Sequence, residues 1–282
     1  MFNQNIKSPV NIPVSKIRPF EGNPYKVLDN DEMNTLIGSI QERGVLTPII
    51  IRPIESTDEY EVISGHRRLH ATVKAGMKEV PAFIYAVTRD EAANMLVDSN
   101  LHREHILPSE KAFAYKMKLE ALNHQGKTFG QVGQKYSRDL MAESVDESSR
   151  QIHRYIRLTY LIPELLDLVD EERIAFTPAV ELSYLNEVEQ ADLVEEIRVC
   201  DATPNLSQAQ RLRAISREEW LTPKHIGEIL AEEKANQREK IRIPAERIRK
   251  YFPKSYTTEQ IEEAIIKICE SRYRARQGRD AR

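Results

Sequence analysis

Gly65 is followed by His66, Arg67 and Arg68, with His70 one turn further on. The group stands where the β-branched run YEVIS gives way to a helical pattern. A glycine and then cations at a strand-to-helix junction suit an anion. The first backbone N–H groups of a helix have no partner within it, and the helix dipole favours negative charge there. A second group, DSNLHRE, closes the next helix and brings Asn100, His102, Arg103 and Glu104 close together in sequence. With Gly65, His66, Arg67 and Arg68 these residues could line one pocket. Guanidinium forks would meet phosphate oxygens. Asn100 or Glu104 could offer oxygen to a magnesium ion, which commonly bridges to substrate phosphates. The histidine pairs His66/His70 and His102/His105 have helical spacing for zinc, but arginines flank both and no cysteine assists. The plainer alternative is that Arg67 and Arg68 simply pair with surface carboxylates.

A third constellation lies further along. Read at 100° per residue, Ser148 to Leu161 gathers Arg150, His153, Arg154 and Arg157 on one face. Ile152, Tyr155, Ile156 and Thr159 lie opposite. Preceded by SRDLMAESV, which Ser137 can cap, this is a helix-turn-helix pattern whose second helix enters a major groove. Ser148, Ser149, Arg150 and Gln151 stand at its leading end and suit base edges and phosphates. A solvated basic face on an ordinary helical hairpin is the bland alternative.

Short elements must position these groups. NIPVSKIRPF reads as an edge strand entering a turn. Asp29 to Arg43 reads as a helix, capped by Asp29 or Asn30 and stopped by Gly44. TPIIIRPIE, YEVISG and VPAFIYAV read as strands, and Arg67–Ala75 and Asp90–Asn100 as helices. From Leu107 the pattern is helical. The fold class is α+β. It comprises a small mixed α/β domain over 1–105, an all-α helix-turn-helix domain over 106–205, a helical linker over 206–240 and a C-terminal unit over 241–282. In that unit Thr257 and Gln260 form a capping box. Ile261, Ala264, Ile265 and Ile268 make one stripe, which a second copy would cover, giving a homodimer.

The bulk numbers narrow the class. The 282 residues carry a net charge of -3 with 30% charged residues, so any DNA contact is local rather than global. The two cysteines, Cys200 and Cys269, have no metal spacing and no disulfide framework. No run has the length of a membrane span. The expectation is a cytoplasmic protein associated with a nucleoid or plasmid, with no membrane partner.

In this order the landmarks resemble the ParB partition-protein family. GVLTPIIIR looks like its first strand segment, and SGHRRLHA is similar to its Gly-Glu-Arg-Arg box. SNLHRE resembles its Glu-Asn-x-x-Arg-Glu box, and SRQIHRYIRLTYLIPELL its recognition helix and the helix after it. The tail, with KYFPKSYT, is similar to ParB-like proteins of mobile elements and plasmids. The resemblance implies dimers on a centromere-like inverted repeat of double-stranded DNA. It also implies CTP and Mg2+ in the N-terminal domain, a nucleotide-closed clamp and a ParA-type ATPase partner. Gly65, Arg67 and Arg68 would cradle the triphosphate, Asn100 would take the magnesium role, and Arg103 and Glu104 would complete the pocket.

The departures are specific. The family's carboxylates are His66 and Ser99 here, and Lys26-Val27-Leu28 replaces its Gln-Pro-Arg, so slow CTP hydrolysis is left open. No basic, leucine-rich N-terminal motif for the ATPase is present. Two other readings stay alongside. One is a helix-turn-helix regulator without a nucleotide switch. The other is a nucleotide-dependent enzyme of the sulfiredoxin or serine-kinase type, the former disfavoured because the first hundred residues hold no cysteine.

Overall fold

The computed structural model describes residues 8–101, 103, 105–125, 147–218, 220–232, 245–253 and 255–280. The expected helix over Ser137 to Val145, and the site candidates His102 and Glu104, lie outside the described residues. The chain divides into a first unit, Met1–Glu232, and a second, Glu233–Arg282.

Strands β1 (Val10–Pro13), β2 (Ile17–Arg18), β3 (Ile49–Pro53), β4 (Tyr60–Ser64) and β5 (Glu79–Ile84) form one sheet in the order β1-β5-β3-β4-β2. β1 pairs antiparallel with β5, β5 parallel with β3, β3 antiparallel with β4, and β4 parallel with β2. Isoleucines and valines at alternate positions fill the core, with Ile49, Ile51 and Val62 fully buried. Helices α1 (Asp31–Arg43), α2 (His66–Lys74) and α3 (Arg89–Asn100) complete this half. Asn30 caps α1 by accepting from the Met33 N–H, and Gly44 ends it at φ 71°. Thr88 and Glu91 form a reciprocal capping box on α3.

Helix α4 (Pro108–Gln125) leads into the helical half. Its Ala114 and Ala121 enter the core built on Ala92, Leu96 and Phe20, while its Ala112 packs with Leu158 and Leu165. One helix therefore serves both cores, and no open linker separates the two halves at residue 105. Beyond it come α5 (Ser149–Leu158), α6 (Pro163–Asp170), α7 (Phe176–Leu182), α8 (Glu187–Cys200), α9 (Leu206–Glu218) and α10 (Pro223–Ala231). The stretch from 206, expected to be a linker, differs from that reading. Leu212, Leu221, Ile226 and Leu230 belong to the same buried cluster as α6–α8.

The second unit contains α11 (Ala245–Arg249) and α12 (Thr258–Asp280). Thr257 Oγ1 accepts from the Gln260 N–H, as the capping box predicts, while Ile266, Ile268 and Tyr273 stand exposed. Among the described residues no helix is long and apolar enough to cross a membrane, and Cys200 and Cys269 are free thiols.

Candidate nucleotide pocket and DNA-reading helix

Gly65 turns the chain from β4 into α2 at φ 100°, a region that side-chain-bearing residues rarely enter. Space excludes a side chain as well. A Cβ there would lie 2.7 Å from Ile49 Cγ2 and 3.1 Å from Arg68 Nη2. The glycine thus lets α2 start hard against β3, with Arg68 folded over the junction. The Arg68 guanidinium donates to the carbonyls of Thr47 at 2.5 Å and Pro48 at 2.7 Å. Burial lowers its pKa. Arg67 points the other way and pairs with Glu32 at 3.0 Å, so for this arginine the plainer expectation of a surface ion pair is what the chain does. His70 donates to or accepts from Asp29 at 2.8 Å, and Lys74 shares that carboxylate at 2.6 Å. No group of three metal-ligating side chains occurs among the described residues, and His102 of the second histidine pair lies outside them.

His66 is different in kind. Its Nε2 is buried and has no hydrogen-bond partner among the described residues. Burial, and then the nearby Arg103 charge, lower its pKa to about 4, so the imidazole is neutral at physiological pH. Arg103 also lies over the Tyr25 ring, 5.5 Å from its centroid. Tyr25 is 5% exposed, and its hydroxyl is also buried without a partner among the described residues. Desolvation raises the phenol's pKa, against the Arg103 charge. Asn100 is buried one turn before. Its amide nitrogen donates to Leu96 O at 2.7 Å and Ser99 Oγ at 3.2 Å, and its carbonyl accepts the Arg103 N–H at 3.1 Å. The side-chain oxygen Oδ1 is the group Asn100 could offer a cation.

The structure therefore brings Gly65, His66, Arg68, Asn100 and Arg103 into one neighbourhood and turns Arg67 outward. Tyr25 was missed in the sequence because it sits in a loop with no periodicity. Its only signal is the Asn-Pro-aromatic order, which closes a turn: the Tyr25 N–H donates to Asn23 Oδ1 at 3.1 Å. Among the described candidates Asn100 offers one neutral side-chain oxygen, so a magnesium ion would be held largely by phosphate oxygens and water. A cavity of about 550 Å³ between Phe20, α3 and α4 shares no lining residue with this site.

On the helical half, Ser148 caps α5 by accepting from the Gln151 N–H at 3.2 Å. Ile152 is fully buried beside Tyr115. Glu147 pairs with Lys111 of α4, and Tyr115 meets Tyr155 edge to face at 5.6 Å. The helix is thus fixed to α4 along one side. Arg150 and His153 are exposed, with Ser149 and Gln151 partly so at the leading end.

The expected four-residue basic face is divided, however. Arg154 donates to Thr177 Oγ1 at 2.8 Å and lies 4.9 Å from the Phe176 ring. Arg157 donates to the carbonyl of Ser183 and lies between the rings of Tyr160 and Tyr184, at 4.4 and 4.0 Å. Both are turned onto α7 and the joint after it. A helical wheel cannot register this, because the contacting residues come some 25 positions later.

A family model described as the ParB N-terminal domain matches residues 3–101. The chromosome-partitioning protein Spo0J of Thermus thermophilus is 33% identical over 165 residues, covering 58% of this chain and 56% of that protein. A nucleoid occlusion protein of Listeria innocua is 29% identical over 195 residues, covering 69% and 64%. The matched part spans less than two thirds of the length of these curated relatives. Among solved structures, a C-terminally truncated ParB from Caulobacter crescentus complexed to the centromeric parS site matches with a TM-score of 0.41 and 18% identity. That match covers 74% of this chain and 99% of that one. The same protein complexed with CTP-gamma-S matches at 0.33 and 21%, covering 68% and 99%.

Proposed function

The chain belongs to the ParB-type partition family, and from that premise we propose that it binds a centromere-like inverted repeat as a dimer and takes CTP in its N-terminal half. The observation that carries the nucleotide part is the neighbourhood of His66, Arg103 and Tyr25. His66 Nε2, at the start of α2, and the hydroxyl of Tyr25, whose ring Arg103 covers, are buried without partners among the described residues. Buried polar groups ordinarily find partners, so a place that leaves two unmet is built for something that brings acceptors or donors with it. An anion held by Arg103 and the α2 N–H groups would do so. Magnesium would ride on the phosphates, with Asn100 Oδ1 as the protein's contribution.

The DNA part rests on α5. Ser149, Arg150, Gln151 and His153 form its outward leading end, and α4 holds the helix in place. Arg154 and Arg157 contribute by orienting α5 against α7. A ParA-type ATPase is the partner that the partition reading implies, and the site of action is the cytoplasmic nucleoid or a plasmid. The relatives carry the names of a partitioning protein and a nucleoid occlusion protein, which supports this reading for the chain.

Calorimetric titration with CTP, ATP and GTP in magnesium, with and without an inverted-repeat duplex, tests the proposal. Selective CTP binding is the expected result, and a phosphate-release assay on the same samples reads hydrolysis. Absence of binding to all three would favour a second reading, a helix-turn-helix regulator without a nucleotide switch. One observation favours that alternative: Arg67 and Arg68 already have protein partners in Glu32, Thr47 and Pro48.

A further inference from the structure

Resting on the DNA reading of α5, we propose that a row of cations and tyrosines running from α4 to α9 docks on the sugar-phosphate backbone beside the groove that α5 enters. Lys116 of α4 lies 6.0 Å from the centre of the Tyr160 ring, and Arg157 of α5 lies 4.4 Å from the same ring. Arg157 is also 4.0 Å from the Tyr184 ring, and Arg213 of α9 is 3.5 Å from it. Two guanidinium groups this near one ring centre cannot share a face without colliding, so they hold Tyr184 from opposite sides. No base can stack on that ring. What the row offers a ligand is charge, N–H donors and the hydroxyl-bearing edges of the tyrosines.

Place, exposure and charge all point the row at DNA phosphates. Arg150 and Arg157 are seven residues apart, so they fall on one stripe of α5, about 10 Å apart along its axis. A major groove about 12 Å wide sets its flanking strand at a similar distance from the bases that Arg150 would meet. Arg157 is half-buried, but Tyr160 is 58% exposed and Tyr184 41% exposed, so the tyrosines carry that stripe to the surface. Arg213 pairs with Glu181 at 2.7 Å, whereas among the described residues Lys116 and Arg157 have no carboxylate partner. The row therefore sets Lys116, Arg157 and Arg213 against the single carboxylate of Glu181, in a chain whose net charge is -3. A local surplus of this kind is what a phosphate backbone attracts. The stretch that carries Arg213, expected from the sequence to be a linker, thereby joins the DNA-facing surface.

The test measures binding of the full-length protein to two duplexes, one an inverted repeat and one of random sequence, over a range of salt. Lys116→Gln removes a cation that no carboxylate offsets. A double variant, Arg213→Gln with Glu181→Gln, removes the outer rung and leaves the net charge as it was. Each is expected to lower the salt slope by about one and to weaken both duplexes alike, by about five- to tenfold at ~0.1 M salt. The urea midpoint of Lys116→Gln should not move. Slopes equal to wild type would overturn the proposal, and the DNA reading would stand if Arg150→Ala still weakens binding. A loss confined to the inverted repeat would make the row a sequence reader and overturn it as well. A urea midpoint that falls together with binding in Lys116→Gln would assign the row to the fold, with the same consequence. If the wild-type protein binds neither duplex, the DNA reading fails and takes this role for the row with it.

Discussion

Two arginines on one helix show how burial separates recognition from support. Arg150 is exposed at the leading end of α5, whereas Arg157 is locked between two tyrosines and bonded to Ser183. Arg150→Ala is expected to weaken DNA binding by about 1–3 kcal/mol if it reads a base, or to lower the salt slope by about one if it meets a phosphate. Its urea midpoint should not move. Arg157→Ala should lower stability by about 2 kcal/mol through lost stacking and an unmet carbonyl, read by the same urea titration. His66 supplies a pH signature. Its folded pKa is lowered to about 4 from an ordinary 6.5, by burial first and the Arg103 charge second. Between those values the unfolded chain binds the extra proton, so stability falls as pH drops from 6.5 toward 4, by up to about 1.4 kcal/mol per unit. His66→Gln should flatten the melting temperature against pH in that window. Parallel curves for the two proteins would mean that His66 is not held neutral.

At the scale of elements, the ends of helices carry the long-range ties. Glu110, in the first turn of α4, accepts from the N–H groups of Leu107 and of Lys26, and Ser109 gives both its N–H and its hydroxyl to Asp170 at the end of α6. Glu110→Ala is expected to cost about 1–3 kcal/mol in chemical denaturation, since it strands buried backbone donors. The same elements show what the sequence could and could not convey. Asn30, Gly44, Gly65 and the Thr257–Gln260 box were legible because caps and left-handed turns are local events with local residue preferences. The strands were legible from β-branched runs. The partners of Arg154 and Arg157, and the buried hydroxyl of Tyr25, were not, since each depends on residues far along the chain. Leu212 and Ile226 were read as linker for a related reason. Their apolar residues were visible, but the α7 and α8 surfaces that receive them were not.

For the whole molecule, the division at Glu232 has a direct test. Deleting 233–282 should leave the melting transition of the first unit close to that of the intact chain, because the cores around α4 and α6–α10 are complete within it. Sedimentation should then show a monomer for the truncated chain, against the dimer proposed for the intact one. A truncated chain that remains dimeric at low concentration would place the dimer contact elsewhere. The sheet has a consequence of another sort. Its two borders are β1, four residues ending in Pro13, and β2, only two residues long. At high local concentration, open strand borders can zip together into aggregates. Borders this short offer little backbone for a foreign strand to copy, so neighbours can be packed closely without their sheets fusing.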